Sequence, residues 1–177
     1  QARATIETLT EARATRIVVT CPHCLNALGN EYPQLGGVFE VVHHTELLDR
    51  LVAEGRLRPT APVARGGDAA GDVTYHDPCY LGRHNGVYTP PRELLAAAGV
   101  AVTEMPRSGE RSFCCGAGGA HAFFEESGGT RIAAARGAEA LATGAAAVAT
   151  GCPFCVTMLS QGMGDAAAQA GRDRAAA

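Results

Sequence analysis

The residues of this chain whose type and spacing can do chemistry are its seven cysteines. Five of them form a pattern: Cys79, 34 residues, the adjacent pair Cys114 and Cys115 followed by Gly116, 35 residues, then Cys152-Pro153-Phe154-Cys155. Thiolates are soft ligands, and a cluster of them selects iron–sulfur centres, zinc or Cu(I) over hard cations. Neighbouring cysteines strain to fill two corners of one tetrahedral ion, but they can bind neighbouring irons, or bridge two, in a multinuclear cluster. The pattern therefore reads as a five-thiolate iron–sulfur site. Zinc is the runner-up, because CPxC is also a zinc-knuckle sequence. Zinc would leave one of the five cysteines without a role and Gly116-Ala117-Gly118-Gly119 unexplained. Four small residues let backbone approach a bulky ligand closely. A phosphate cradle fits those glycines less well, since no P-loop Lys follows them.

The remaining pair, Cys21-Pro22-His23-Cys24, is an incomplete second site: free thiols, half of another metal centre, or a thioredoxin-like CxxC that follows a strand. His76 and Asp77 precede Cys79, and His43 and His44 end a strand. All four are candidates for cluster ligation or proton transfer, weighed against the plainer role of hydrogen-bonding a loop. Histidine titrates near neutral pH, which suits proton-coupled reduction. Arg83 can neutralise a cluster or a carboxylate, or sit in a surface ion pair.

Strands must deliver these groups. Ile17-Val18-Val19 runs directly into Cys21, and Pro22 suits a first helical turn, predicting a helix over 22–30. A second strand over 38–42 ends at His43, followed by a helix from Thr45, a plausible cap. Residues 55–71 lack periodicity and read as an exposed linker. A strand from Val73 delivers His76, Asp77 and Cys79. A helix over 90–98 ends at Gly99, and Val100 to Met105 reads as another strand. Residues 121–143 read as mostly helical with a break at Gly128-Gly129. A strand over 145–149 opens on Cys152, and Pro153 starts the last helix. From Gly164 the Ala-, Gly- and Arg-rich tail is expected to be disordered. Each cysteine group thus sits where a strand meets a loop or helix start, the place where open α/β sheets bind ligands. A helix N-terminus also favours an anionic thiolate.

Ile17–Leu28 repeats as Val148–Leu159 at an offset of 131, both reading strand, CPxC, helix. Such a repeat signals a duplicated unit. The expected organisation is residues 1–54 as the C-terminal part of an upstream half, 55–71 as linker, 72–163 as a complete cysteine-rich unit and 164–177 as tail. The expected fold is α/β, a small parallel sheet flanked by helices with the cysteines converging at one edge.

Composition sets bounds. With 177 residues, 46% apolar, 5% aromatic and no Trp, one domain or slightly more must pack on Ala, Val and Leu. All 15 basic residues are Arg, and a net charge of −3 gives no reason to propose nucleic acid or an anionic membrane as partner. An odd cysteine count in CxxC and CC groups fits reduced thiols in a cytoplasmic setting rather than a secreted disulfide framework. No apolar run approaches the roughly 18 residues of a bilayer span, so the chain as given is expected to be soluble. It begins with Gln1 rather than Met, and is expected to be a fragment of a longer protein or a processed product.

The tracts Tyr75-His76-Asp77-Pro78-Cys79-Tyr80-Leu81-Gly82-Arg83, Phe113-Cys114-Cys115-Gly116-Ala117-Gly118-Gly119 and Gly151-Cys152-Pro153-Phe154-Cys155 resemble the cysteine-rich CCG domain of Fe–S oxidoreductases. Heterodisulfide reductase catalytic subunits are members, as are iron–sulfur subunits of glycolate, lactate and glycerol-3-phosphate oxidising systems. The tracts at 43–48 and 83–88 look most like a membrane-linked group that partners electron-transfer flavoprotein and passes electrons to quinone. The resemblance covers roughly residues 15 to 163; the gap before Cys152 sits at or just past the long end of the family's usual spacing. It implies electron transfer through a [4Fe–4S]-type cluster, cubane or non-cubane, bound by Cys79, Cys114, Cys115, Cys152 and Cys155. It also implies a flavoprotein or other redox subunit as donor and a quinone or disulfide as acceptor. Membrane association would come only through segments outside this chain, at the inner face of the cell membrane. Cys21 and Cys24 would belong to a second cluster completed by the upstream half. Two readings of other classes stand beside this one: a zinc-stabilised interaction module, and a metal-free thiol–disulfide oxidoreductase.

Overall fold

Among the described residues, short runs rich in β-branched residues make four strands, and they pair in parallel, two by two. The computed structural model describes residues 1–59, 72–124 and 128–175. Strand β1 (Arg16–Val19) pairs with β2 (Glu40–His43), and β3 (Val73–His76) pairs with β4 (Ala147–Thr150). The fold is α/β: two small parallel sheets flanked by helices. Both pairs end in register on a histidine, Val19 beside His43 and Thr150 beside His76. The internal repeat is structural as well. Adding 131 to the bounds of β1 gives those of β4, and Pro22 and Pro153 start helices α2 (Pro22–Asn26) and α6 (Pro153–Ala175) at matching positions.

The remaining helices are α1 (Ala2–Glu11), α3 (His44–Ala53), α4 (Thr89–Ala97) and α5 (Ile132–Ala142). Several elements differ from expectation for local reasons. Helix α2 gives way to a π turn over Ala27–Glu31 and a 3-10 turn over Tyr32–Leu35, where Gly29, Asn30 and Pro33 weaken the α-helical ladder. Strand β2 starts two residues late and includes His43, and Val38 is exposed. His43, rather than Thr45, caps α3: its backbone N–H donates to Glu46 Oε2 at 3.0 Å while its ring accepts from the Thr45 N–H. The strand expected over 100–105 is reduced to a single bridge, Val73 to Val102, because it is hemmed between Gly99 at φ +72° and Pro106. Among the described residues of 121–143 only α5 is an α-helix; Gly118–Phe123 is 3-10, and Gly128 and Gly129 both have positive φ. Helix α6 runs through Ala175, so the tail expected to be disordered from Gly164 is helical there. Most of the expected linker, residues 60–71, lies outside the described residues.

Two apolar clusters hold these pieces. One joins the first segment to the second: Val19 and Leu25 pack on Leu81, which is fully buried, with Ile17, Leu28, Val41 and Val87 around them. The other contains cysteines: Cys115, Cys152 and Cys155 pack with Ala133, Met158 and Leu159. Here α5 lies backbone-to-backbone on α6. A Cβ on Gly137 would come within 2.5 Å of the Gly162 carbonyl carbon and 2.6 Å of Met163 N, and one on Gly162 would overlap the Ala133 carbonyl. In an open helix Gly→Ala is favourable by about 0.5–1 kcal/mol. At Gly137 the overlap reverses the sign, and Gly137→Ala is expected to destabilise by about 1–3 kcal/mol. Gly164→Ala, on the same α6 with nothing within 4 Å, is expected to stabilise. Urea unfolding of the two variants beside wild type checks both signs.

Candidate metal centre

Three chain segments converge on the second sheet's C-terminal edge. Strand β3 ends at His76 and leads through Asp77-Pro78 to Cys79, and β4 ends at Thr150 and leads through Gly151 to Cys152. The extended segment before Cys114 arrives from the far side. It is tied to the Cys79 turn by Arg83, whose Nη2 donates to the Ser112 carbonyl at 2.8 Å. Asp77, 2% exposed, anchors the same segment: it accepts from both Arg92 Nη atoms at 2.7 and 3.0 Å and from the Gly109 N–H at 2.7 Å. Arg92 in turn grips Glu104, at 2.6 and 3.0 Å. Asp77 and Arg83 are therefore the clamps of the loop that carries the cysteine pair.

Gly116 has φ +95°, and a Cβ there would lie 2.9 Å from Ala133 N. Only glycine combines that left-handed backbone with that closeness to α5. Its N–H points back to Cys114 Sγ at 3.3 Å. Cys115, Cys152 and Cys155 are buried, Cys79 and Cys114 are half-buried, and none of the cysteines forms a disulfide. One ligand atom of His76 and the sulfurs of Cys115 and Cys155 lie within 4.8 Å of one another.

These thiols act on each other electrostatically. Cys115 is held far below the usual thiol range, first by the Cys114 thiol, then by Cys155, with His76 and the Ala117 backbone adding to it. Cys152 is pulled down to about 7, chiefly by Cys155 with help from the backbone of Phe154 and Cys155 at the start of α6. Cys114 and Cys155 are pushed up, each first by its contact with Cys115. Burial pushes Cys79 up, the charges of Cys115 and Cys152 add to this, and Arg83 opposes it. The five thiols thus shift one another's ionisation, directly or through one neighbour.

The other candidates are placed differently. Cys24 is exposed; burial and Cys21 push its thiol up. Cys21 Sγ lies 3.6 Å from His23 Nδ1. Among the described residues no third metal-ligating side chain joins Cys21 and Cys24 at the spacing seen for His76, Cys115 and Cys155. Their motif still faces the five-thiol site, because the His23 ring packs on Tyr80 at 4.3 Å and edge-on to Phe154 at 5.2 Å. His43 is fully buried and contacts the other half: its Nε2 lies 3.1 Å from the Gly151 carbonyl, and its Nδ1 lies 2.7 Å from Thr45 Oγ1. A carbonyl can only accept, so the proton is on Nε2. The His44 ring lies tilted against that of His43, with centroids 4.3 Å apart, and burial lowers its basicity.

Sequence reasoning passed over Arg136. It is 0% exposed, on a face of α5 otherwise made of Ala133, Gly137 and Ala140. A lone cation in a stripe of small residues at helical spacing was the available signal.

A parallel α/β unit with thiols gathered beyond its strand ends has a donor set that could hold a metal. This chain belongs to the cysteine-rich domain family (CCG), which it matches over residues 1–29 and 73–160. It is 43% identical over 171 residues to the EtfAB:quinone oxidoreductase of Syntrophomonas wolfei, covering 93% of this chain and 23% of that protein. It is 49% identical over 148 residues to the probable iron-sulfur-binding oxidoreductase FadF of Bacillus subtilis (83% and 20%). It is 36% identical over 169 residues to one subunit of the dihydromethanophenazine:CoB–CoM heterodisulfide reductase of Methanosarcina barkeri (91% and 39%). The chain therefore spans between a fifth and two-fifths of the length of these relatives. No solved structure matches it. Among the described residues no helix is long and apolar enough to cross a membrane.

Burial first, and the neighbouring His44 second, draw His43 down to about 4. A histidine near 6.5 when unfolded binds protons that the folded state refuses. Its contribution is full above about pH 6.5 and is lost as pH falls through about 4, a change on the order of 3 kcal/mol. Urea unfolding from pH 7 to pH 4 should show this component in wild type and a correspondingly shallower acid slope in His43→Gln.

Proposed function

We propose that this chain carries electrons through a [4Fe–4S]-type cluster, as part of a heterodisulfide reductase-related Fe–S oxidoreductase. Cys79, Cys114, Cys115, Cys152 and Cys155 would hold the cluster. The observation that carries this reading is the convergence of five unpaired thiols from three chain segments on one pocket, three of them buried together in an apolar cluster. A single tetrahedral zinc needs four. The donor set is soft, and the Gly116 turn brings a backbone N–H to Cys114 Sγ. His76 Nε2 is buried and has no hydrogen-bond partner within the protein. These features fit an anionic sulfur-rich group.

When bound, such a cluster supplies one-electron redox chemistry. The protein supplies its thiolates, a largely water-excluding wall of Ala133, Met158 and Leu159, and N–H groups aimed at sulfur. The names of the relatives suggest an electron-transfer flavoprotein or another redox subunit as donor and a quinone or disulfide as acceptor. Our reading of the chain's organisation is that residues 1–54 are the end of an upstream cysteine-rich half and residues 72–163 a complete one. Cys21 and Cys24 would then serve a second cluster in the longer protein.

Anaerobically purified protein is expected to contain about four iron and four acid-labile sulfide per 79–155 site. A Cys114→Ser, Cys115→Ser double variant should lose them. Stoichiometric zinc without sulfide would replace the redox reading with a structural module.

A further inference from the structure

His76 and Arg136 lie behind the thiols, 1% and 0% exposed. Arg136 Nε is 3.1 Å from His76 Nδ1. A guanidinium donates and never accepts, so Nδ1 is the bare acceptor nitrogen and the neutral ring carries its hydrogen on Nε2. With Nδ1 engaged by Arg136, Nε2 is the nitrogen left to serve the sulfur site, where one ligand atom of His76 lies within 4.8 Å of the Cys115 and Cys155 sulfurs, and Nε2 itself makes no hydrogen bond within the protein. A histidine that binds metal through Nε2 needs the reverse: a lone pair there, and a proton on Nδ1 directed at an acceptor. Arg136 offers Nδ1 a donor where a ligand histidine requires an acceptor.

We infer that His76 holds its unpartnered Nε2–H as a donor to the sulfur of the bound cluster and is not a metal ligand, and that Arg136 is the positioning residue that fixes it in that role. Arg136 is itself held rigidly. Its Nη1 donates to the Arg107 carbonyl at 2.9 Å and to Glu139 Oε2 at 2.6 Å, and Glu139 also pairs with Arg107. Two guanidiniums share one carboxylate, which leaves one net positive charge behind the imidazole. That charge polarises Nε2–H toward sulfur and complements an anionic centre. Hydrogen bonds to cluster sulfur stabilise the more negative, reduced state and so raise the reduction potential. The inference rests on the cluster proposed above.

The test uses full-length protein purified anaerobically: wild type, His76→Leu, His76→Gln and Arg136→Leu. Iron and sulfide in wild type decide whether there is a cluster at all, separately from the role of His76. Pulsed EPR of the reduced cluster in ¹⁵N-histidine-labelled protein should give a weak nitrogen coupling and a proton coupling that disappears in D₂O. Both should vanish in His76→Leu. The potential should shift negative in His76→Leu and Arg136→Leu with iron content retained, and recover in part in His76→Gln, whose amide restores a donor. A strong, directly coordinated nitrogen coupling would overturn the inference. So would loss of iron in His76→Leu and His76→Gln alike, or an unshifted potential in His76→Leu. The wild-type spectrum decides between donor and ligand even if Arg136→Leu does not fold.

Discussion

The backbone contact between α5 and α6 is the constraint on which the thiol pocket depends. Ala133, Gly137 and Gly162 have no side chain beyond a methyl, so the two helices approach until their main chains touch. Helix α6 starts between Cys152 and Cys155, and α5 presents Ala133 to Gly116 and Arg136 to His76. A larger interhelical spacing would move the cysteine pair's glycine turn and the buried guanidinium away from the CPxC sulfurs together. Packing density here determines chemistry, because the small residues of α5 set how near its functional neighbours come to the sulfurs.

The two halves use one device twice. In each, a strand runs into CPxC beside a neighbouring strand that ends on a buried histidine. Each histidine has its Nδ1 occupied, by Thr45 in one case and Arg136 in the other, and so directs Nε2–H outward. In the first half the recipient is a main-chain carbonyl; in the second Nε2 is left without a partner beside the thiols, the donor assigned above to the bound cluster. The local frame is constant and the group that reads the N–H differs.

Much of this was legible in sequence. Strand runs such as Ile17-Val18-Val19 and the prolines at helix starts located the strand ends, and those ends located the cysteines. The offset of 131 between the repeats holds to the residue in the strands. What was not legible was non-local. Nothing in the tract around Asp77 announces that Arg92 and Gly109 will occupy it, and nothing around Arg83 announces a carbonyl 29 residues later. The strand expected at 100–105 has the right propensity but too little room between Gly99 and Pro106. The alanine-rich stretch after Gly164 looked featureless by periodicity, yet alanine's helix propensity carries α6 onward. Arg136 was hidden because a charged residue among alanines normally reads as a solvated face.

The hydrogen bond from His43 to the Gly151 carbonyl spans 108 residues of chain. Its closure entropy is slow to grow with length but is owed before the contact returns anything. The carbonyl concerned is the last one before Cys152, so the final shape of the second CPxC turn is a product of long-range docking. Shaping that turn therefore carries the closure cost of bringing the first sheet to the second. The turn that carries Cys152 and Cys155 is thereby tied to a sheet more than a hundred residues away in sequence.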